Sequence, residues 1–262
     1  MMLMENKTSG IDMIRSSLRE LLKEREIIAR CELLNRTYNI VRAAGLTDSE
    51  REELSKAVGM HISAGIFASM MSGTPIFSDL PKLDTYTQIN GRIFHFLHTK
   101  RYSKQDFDNA HRKFLTSLPE IKPMLRQNLT DLLKELMENA GYHLIKEDSH
   151  GLMFEAEGRK VNALVFTSIK SLDPSKLRKE ADETEVDLVV LVPSSEGLEP
   201  FVQFFREKGA LVEEAGVQVW VANMEKGTID PFIGYTTDLD IYEQFKNPRL
   251  AEMVRSNWSA KQ

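Results

Sequence analysis

Residues 186–192 read Val-Asp-Leu-Val-Val-Leu-Val. A run of seven that is nearly all β-branched or leucine, with proline at Pro193, is the pattern of a strand covered on both faces. That single stretch demands a sheet with layers on either side, and the sequence around it supplies them. A helix is expected from about Leu129 to Asn139, ending at Gly141. Three extended runs follow, Tyr142 to Lys146, Leu152 to Glu157 and Val161 to Ser168, separated by turns at Ser149-His150-Gly151 and Gly158-Arg159. Asp173-Pro174 opens a charged helix to about Glu185, with proline at its first position. After the buried strand come a helix from Leu198 to Lys208 ended by Gly209, then extended runs at Ala210 to Glu213 and Val217 to Asn223. The order is helix, three-strand meander, helix, strand, helix, strand. Met224 to Gly234 is turn-rich and then apolar. Leu239 to Phe245 and Pro248 to Trp258 read as short helices, the second with Leu250, Met253, Val254 and Trp258 at helical spacing, packing back for burial.

The first half has a different grammar. Ile11, Ile14, Leu18, Leu21, Ile28, Leu34, Tyr38 and Val41 recur at three, four or seven residues, which predicts a long amphipathic helix over about 10–44, ended by Gly45. Thr47 and Glu50 form a capping box for a second helix over 48–72, in which Gly59, Ala64, Gly65 and Ala68 permit close approach. The first helix serves either as a dimer seam or as a core stripe. A loop marked by Gly73, Pro75 and Pro81 leads to a hairpin near 85–97, with Asn90-Gly91 suited to a type I′ turn. Ser103 and Asp106 start a helix carrying Phe107, Ala110, Phe114 and Leu118, which Pro119 and Pro123 are expected to close.

The charge follows the same division. The 262 residues carry a net charge of −5, but residues 1–126 hold 19 Lys+Arg against 15 Asp+Glu, net +4, and residues 127–262 hold 15 against 24, net −9. With 42% hydrophobic and 28% charged residues the chain can bury cores and is not of disordered or collagenous type. Two domains are therefore expected, 1–126 and 127–262. One cysteine, Cys31, excludes an intrachain disulfide, and no zinc-type Cys/His spacing occurs, so a cytoplasmic protein is expected. Met1 to Glu5 shows no basic region leading into an apolar run, so no secretory signal is expected. Ala57 to Met71, interrupted by His61, Ser63 and Ser69, is too short to span a bilayer.

The positive excess concentrates between Arg92 and Arg126, where Arg92, Lys100, Arg101, Lys104, Arg112, Lys113, Lys122 and Arg126 face Asp106, Asp108 and Glu120. Lysine and arginine neutralise phosphates by releasing counterions, and Tyr102 among them is a candidate for stacking, so this hairpin and helix form a candidate nucleic-acid clamp with Arg92, Lys100, Arg101, Lys104, Arg112 and Lys113 as contacts. The alternative is a solvated charged face with its aromatics turned inward. His95 and His98 fall on opposite faces of one strand, a poor geometry for sharing a metal, and no metal site is expected.

The element order over about 129–224 resembles the core of the restriction-endonuclease-like superfamily, the PD-(D/E)XK nucleases that include Holliday-junction resolvases and Mrr-type enzymes. That resemblance implies a mixed sheet flanked by helices. In active members it implies an acidic residue near the second strand and a Glu/Gln-x-Lys on the third, which hold Mg²⁺ beside the scissile phosphate and assist the attacking water. Here the third strand offers Phe166 and Ser168, or Leu164 and Phe166, in those places. A displaced site would draw on Glu155, Glu157 and Lys160 or Lys170; otherwise Glu155 and Glu157 are the solvent side of an amphipathic strand. Arg159, Lys160, Lys170, Lys176, Arg178 and Lys179 are near enough in sequence for a basic rim. The strand at 186–192 followed by Pro193 to Gly197 also looks like a Rossmann-type unit, but no G-x-G-x-x-G or Walker sequence accompanies it, and Ser194 and Ser195 suit helix capping.

The expected protein is thus α/β, α+β overall, with a mainly helical first domain and a restriction-endonuclease-like second domain whose catalytic motif is degenerate. Its expected function is non-catalytic binding or assembly, with nucleic acid or protein as partner and no cofactor. The alternatives are a Mg²⁺-dependent nuclease with a displaced site, and an oligomeric scaffold held by the N-terminal helices that binds no nucleic acid. No membrane partner is expected.

Overall fold

The computed structural model describes residues 9–72, 83–89, 91–98, 100–148, 151–174, 176–177, 186–194 and 199–253. The protein is α+β and divides into two compact units, Met1–Met124 and Leu125–Gln262. Several expectations lie outside the described residues: Met1 to Glu5, the loop at Gly73 to Pro81, Asn90 of the hairpin turn, Ser149-His150, most of the charged helix up to Glu185, Ser195 to Gly197, and Trp258.

In the first unit, the single helix expected over 10–44 is two helices, α1 (Gly10–Glu24) and α2 (Arg30–Ala43), parted by a strand β1 (Ile27–Ala29). Ile28 fits the helical period, yet Ile27 and Ile28 are β-branched and gain more as a third strand beside the hairpin, where Ile28 and Ala29 are buried. The helix expected over 48–72 is likewise α3 (Asp48–Val58) and α4 (Ile62–Ser72), because Gly59 takes a left-handed conformation (φ 65°) that ends α3. A Cβ on Gly65 would lie 2.4 Å from the Val58 side chain, so the close approach expected there is made by α3 against α4. The Thr47 capping box forms, and Glu50 also accepts from Ser9 Oγ and the Gly10 amide, so one carboxylate serves two helix starts. Those bonds, the Thr47 amide first, pull the Glu50 carboxyl down to about 2.

The hairpin strands are β2 (Leu83–Ile89) and β3 (Arg92–His98), and the sheet order is β1-β3-β2, all antiparallel. Helix α5 (Lys104–Asn139) follows. The break expected at Pro119 and Pro123 does not occur: both lie inside this 36-residue helix. Each proline leaves a carbonyl four residues back without its donor, at Leu115 and Pro119. Leu115, Pro119 and Pro123 share one exposed stripe, so water can bind those carbonyls. Opposite, Phe107, Ala110, Phe114 and Ile121 pack with Ala29 and Phe96 as one core cluster of this unit.

In the second unit, β4 (His143–Glu147), β5 (Leu152–Ala156), β6 (Arg159–Val165), β7 (Asp187–Pro193), β8 (Gln218–Asn223) and β9 (Thr228–Ile233) form one sheet in that order. β4, β5 and β6 are an antiparallel meander, β6, β7 and β8 are parallel, and β9 is antiparallel to β8. β7 is buried from Leu188 to Pro193. The run expected as a strand at Ala210 to Glu213 is instead the end of helix α6 (Glu199–Glu214), which continues past Gly209. Gly209 lies against the Phe205 ring, and Val212 joins Phe201 and Phe204 in the core, so the helical period wins; Gly216 (φ 66°) is the true stop. β9 lies in the segment read as turn-rich and then apolar. Its Pro231 is tolerated because β9 is an edge strand. A short helix α7 (Leu239–Gln244) follows. No helix among the described residues is long and apolar enough to cross a membrane.

Candidate functional site

On α5 the basic residues and the core residues separate by angle. At 100° per residue, Lys104, Arg112 and Lys122 fall within a sector of about 80°, running about 27 Å along the axis. All three are exposed, as are Lys113, Arg92, Arg101 and, in the second unit, Arg126. Asp108, half-buried, is the one acid inside the sector. Of the two other acids in the span, Asp106 caps the helix by accepting from the Ser103 amide and hydroxyl, and Glu120 pairs with Arg36 at 3.4 Å. The remaining candidate, Lys100, is 3.5 Å from Glu26 and lies 5.4 Å from the Tyr102 ring centre; the Glu26 charge, then Tyr102, raises its pKa, so it stays a cation.

The aromatics of this span turn inward. Phe94, Phe96, Phe107 and Phe114 belong to the core, and Tyr102 packs on that core with its hydroxyl donating to Glu26. Tyr102 is therefore not a free stacking ring. His98 is buried, with Nε2 on Thr85 Oγ1 at 2.7 Å and Nδ1 on the Lys100 carbonyl at 2.6 Å; it anchors the chain that carries Lys100 and Arg101. His95 lies on the opposite strand face, against Tyr86.

On the sheet of the second unit, Glu155 faces Lys160 across β5 and β6 and His143 across β4 and β5, a row of three. Glu157 is not in that row. Ala156 pairs with Arg159, which leaves Glu157 (φ 48°) and Gly158 (φ 80°) as the two central residues of a tight turn, rather than the Gly158-Arg159 turn expected. The reading of Glu155 and Glu157 as alternate residues on one strand face is therefore corrected: a turn residue does not share the strand's alternation. Lys170 lies in a 3₁₀ turn (Ile169–Ser171) beyond the far end of β6, about 20 Å of strand from Lys160. The structure brings Glu155 and Lys160 together and leaves Glu157 and Lys170 apart from them.

Of the third-strand positions where the family resemblance implies ligands, Ser168 is half-buried and its hydroxyl accepts from the Lys170 amide. Leu164 is buried and Phe166 packs on the same core. Among the described residues no three His, Cys, Asp or Glu side chains converge as a group that would hold a metal. Of the basic rim, Lys160, Lys170 and Lys176 are exposed, Arg159 is tied to Asp238, and Arg178 and Lys179 lie outside the described residues.

One polar cluster escaped sequence reasoning. Asp238, the N-cap of α7, is buried; its Oδ2 accepts from the Tyr142 hydroxyl at 2.7 Å and from Arg159, and its Oδ1 accepts from the amides of Asp240 and Ile241. Burial alone would raise its pKa, but the bonds from Tyr142, Arg159 and the two amides outweigh burial and hold the carboxyl below its ordinary value. Burial and the same contact push the Tyr142 phenol up. The nearest sequence signal for its role is Thr236-Thr237-Asp238 before a short apolar period, which is a capping pattern.

No curated protein matches this chain. A family model described as "Domain of unknown function (DUF6834), C-terminal domain" matches residues 112–247, from within α5 to just past α7 and just over half of the chain, so the protein belongs to that family.

Proposed function

We propose that this is a non-catalytic nucleic-acid-binding protein of the cytoplasm, in which the first unit grips phosphates and the second is a restriction-endonuclease-like domain that has lost its cleavage site. The observation that carries this reading is the exposed stripe of Lys104, Arg112 and Lys122 on the first-unit part of α5, with Arg92, Arg101 and Lys113 also open to solvent. These side chains have their charges in water while the apolar residues of the same helix are committed to the core. Phosphate binding needs only such a row, since each contact gains from counterion release and asks little of geometry. The nuclease-like reading of the second unit is supported by its strand order and by the parallel run β6, β7, β8 after an antiparallel meander. Loss of cleavage is supported by Leu164 and Phe166, apolar and packed in the core at third-strand positions where the resemblance implies Glu/Gln and Lys.

The test is fluorescence anisotropy with labelled DNA and RNA, duplex and single-stranded, over a salt series. Binding is expected to weaken steeply with salt. Changing Arg101, Lys104, Arg112 and Lys122 together to Ala is expected to cost more than tenfold in affinity and to reduce the log–log salt slope on duplex DNA by about 3.6, roughly 0.9 per phosphate contact. Absent or salt-insensitive binding rejects the proposal and favours the scaffold. Mg²⁺- or Mn²⁺-dependent cleavage that disappears in Glu155→Ala would establish the displaced-site nuclease instead.

A further inference from the structure

Two hydrogen bonds are missing from the ladder of α5, and both gaps open on the side that carries the cations. Pro119 has no amide hydrogen to give the Leu115 carbonyl, and Pro123 has none for the carbonyl of Pro119. Each pyrrolidine ring also crowds the carbonyl it fails to serve, which tilts that oxygen outward. Leu115, Pro119 and Pro123 are exposed, so the tilt is toward solvent. The hydroxyls nearby are spent elsewhere: Thr116 donates to the Lys113 carbonyl and Ser117 to that of Phe114.

The two carbonyls lie between two cations. Arg112, Leu115, Pro119 and Lys122 follow one another within the same sector of about 80°, with the cations about 15 Å apart along the axis and the carbonyls about 6 Å apart. Arg112 and Lys122 are exposed. Arg112 donates to the neutral Asn109 side chain at 2.6 Å, a bond that leaves its charge uncancelled. Of the acids nearby, Glu120 lies outside the sector and pairs with Arg36, while Asp108 is half-buried one turn before the segment. The surface therefore reads cation, acceptor, acceptor, cation.

That order asks for a ligand whose anionic groups are separated by hydrogen-bond donors. A DNA backbone offers phosphate, ester and ring oxygens, all acceptors, and would set acceptor against acceptor at both carbonyls. RNA adds one donor per nucleotide, the 2′-hydroxyl, the group by which a protein tells the two apart. Hydroxyls of neighbouring nucleotides are one backbone step apart, a separation the two carbonyls match. We propose that the segment from Arg112 to Lys122 is an RNA-selective backbone site, in which the Leu115 and Pro119 carbonyls accept from ribose 2′-hydroxyls while Arg112 and Lys122 hold the flanking phosphates. This rests on the nucleic-acid reading given above and names its substrate: the cations hold any phosphate backbone, and the carbonyls freed by proline select the ribose one.

The experiment uses the full chain and one labelled 12-nucleotide sequence, made as single-stranded RNA, DNA and 2′-O-methyl RNA, in fluorescence anisotropy. RNA is expected to bind about tenfold more tightly than DNA, the scale of two hydrogen bonds exchanged with water. The 2′-O-methyl strand keeps the ribose without its donor and is expected to bind like DNA. Pro119→Ala with Pro123→Ala returns both amide hydrogens, so the carbonyls close back into the helix. That variant is expected to stay folded by circular dichroism, since alanine is the better helix residue at both places. Its RNA and DNA affinities are expected to fall within about twofold of each other, with the salt slope unchanged because every cation remains; either single change removes about half of the preference on a log scale. If the unaltered protein binds all three strands equally, the ribose site is overturned and the phosphate-binding reading survives. A preference for RNA over DNA that persists in the double variant, or that 2′-O-methyl RNA shares, overturns it as well. If no strand binds, both readings fall. Should the double variant not fold, the three strands on the unaltered protein still decide.

Discussion

Asp238→Ala is expected to destabilise the second unit by about 3 kcal/mol, one of the two largest single-residue effects foreseen for this chain. Two losses add. The Tyr142 hydroxyl is left buried without its acceptor, which costs about 1–3 kcal/mol, and α7 loses its side-chain cap, which costs about 0.5–2 kcal/mol. Tyr142 is only 2% exposed, so water does not readily replace the acceptor. Arg159 is well exposed and its replacement is expected to matter far less. Urea unfolding followed by Trp220 fluorescence, in a Trp258→Phe background, reads the effect; Trp220 is fully buried in the same unit. Asp238→Asn isolates the charge. Because the folded carboxyl titrates below its ordinary value of about 3.9, its stabilisation is complete above that value and is lost as pH falls through the lower folded one. The gap between wild type and Asp238→Asn is therefore expected to hold steady from pH 7 to about 5 and to close in stronger acid. A gap that instead widened in acid would show that Asp238 is not held ionised by its partners.

What could be read in advance follows the range of the interactions. β7 was legible because burial on both faces leaves a continuous apolar run, and the Thr47 capping box because its partners are three residues apart. Ile27–Ala29 was not, since three residues carry no period of their own and their reward is a partner strand about 70 positions away. Pro119 and Pro123 misled in the opposite sense: a local rule yielded to packing by the apolar stripe on the far side of α5. Gly209 and Pro231 did the same, Gly209 because Phe205 packs against it and Pro231 because β9 is an edge strand. At the candidate sites the basic stripe was legible as composition. That Tyr102 turns inward and Tyr86 outward was not, because the choice depends on which hairpin face α5 covers. The Tyr142–Asp238 contact, spanning 96 positions, had no local signal beyond the cap.

The companion prediction concerns the first unit, where Glu32 is 2% exposed and carries a charge between two arginines. Arg36 Nε is 2.9 Å from Glu32 Oε1 and an Arg25 nitrogen 3.7 Å from the same atom. Glu32 lies in the first turn of α2, whose N-cap is Ala29 and supplies no side-chain acceptor, so the carboxylate also faces the positive end of that helix. Glu32→Ala removes the acceptor and leaves two arginines that are about one-fifth exposed. Removing one partner of a buried pair costs about 3–5 kcal/mol when the other stays buried. Here Arg36 keeps Glu120 at 3.4 Å and both guanidiniums reach some water, so a loss of about 3 kcal/mol is expected, near the bottom of that range. Chemical denaturation followed by far-UV circular dichroism measures it. The same reasoning makes a second, sharper demand. Replacing Glu32 by Leu and both arginines by Met at once removes every stranded charge, and stability is expected to return to within about 1 kcal/mol of wild type. Equal losses in the single and triple variants would mean that Glu32 works through the α2 terminus rather than through its arginines. None of these three residues belongs to the basic stripe of α5, so nucleic-acid affinity in the triple variant is expected to stay within about twofold of wild type.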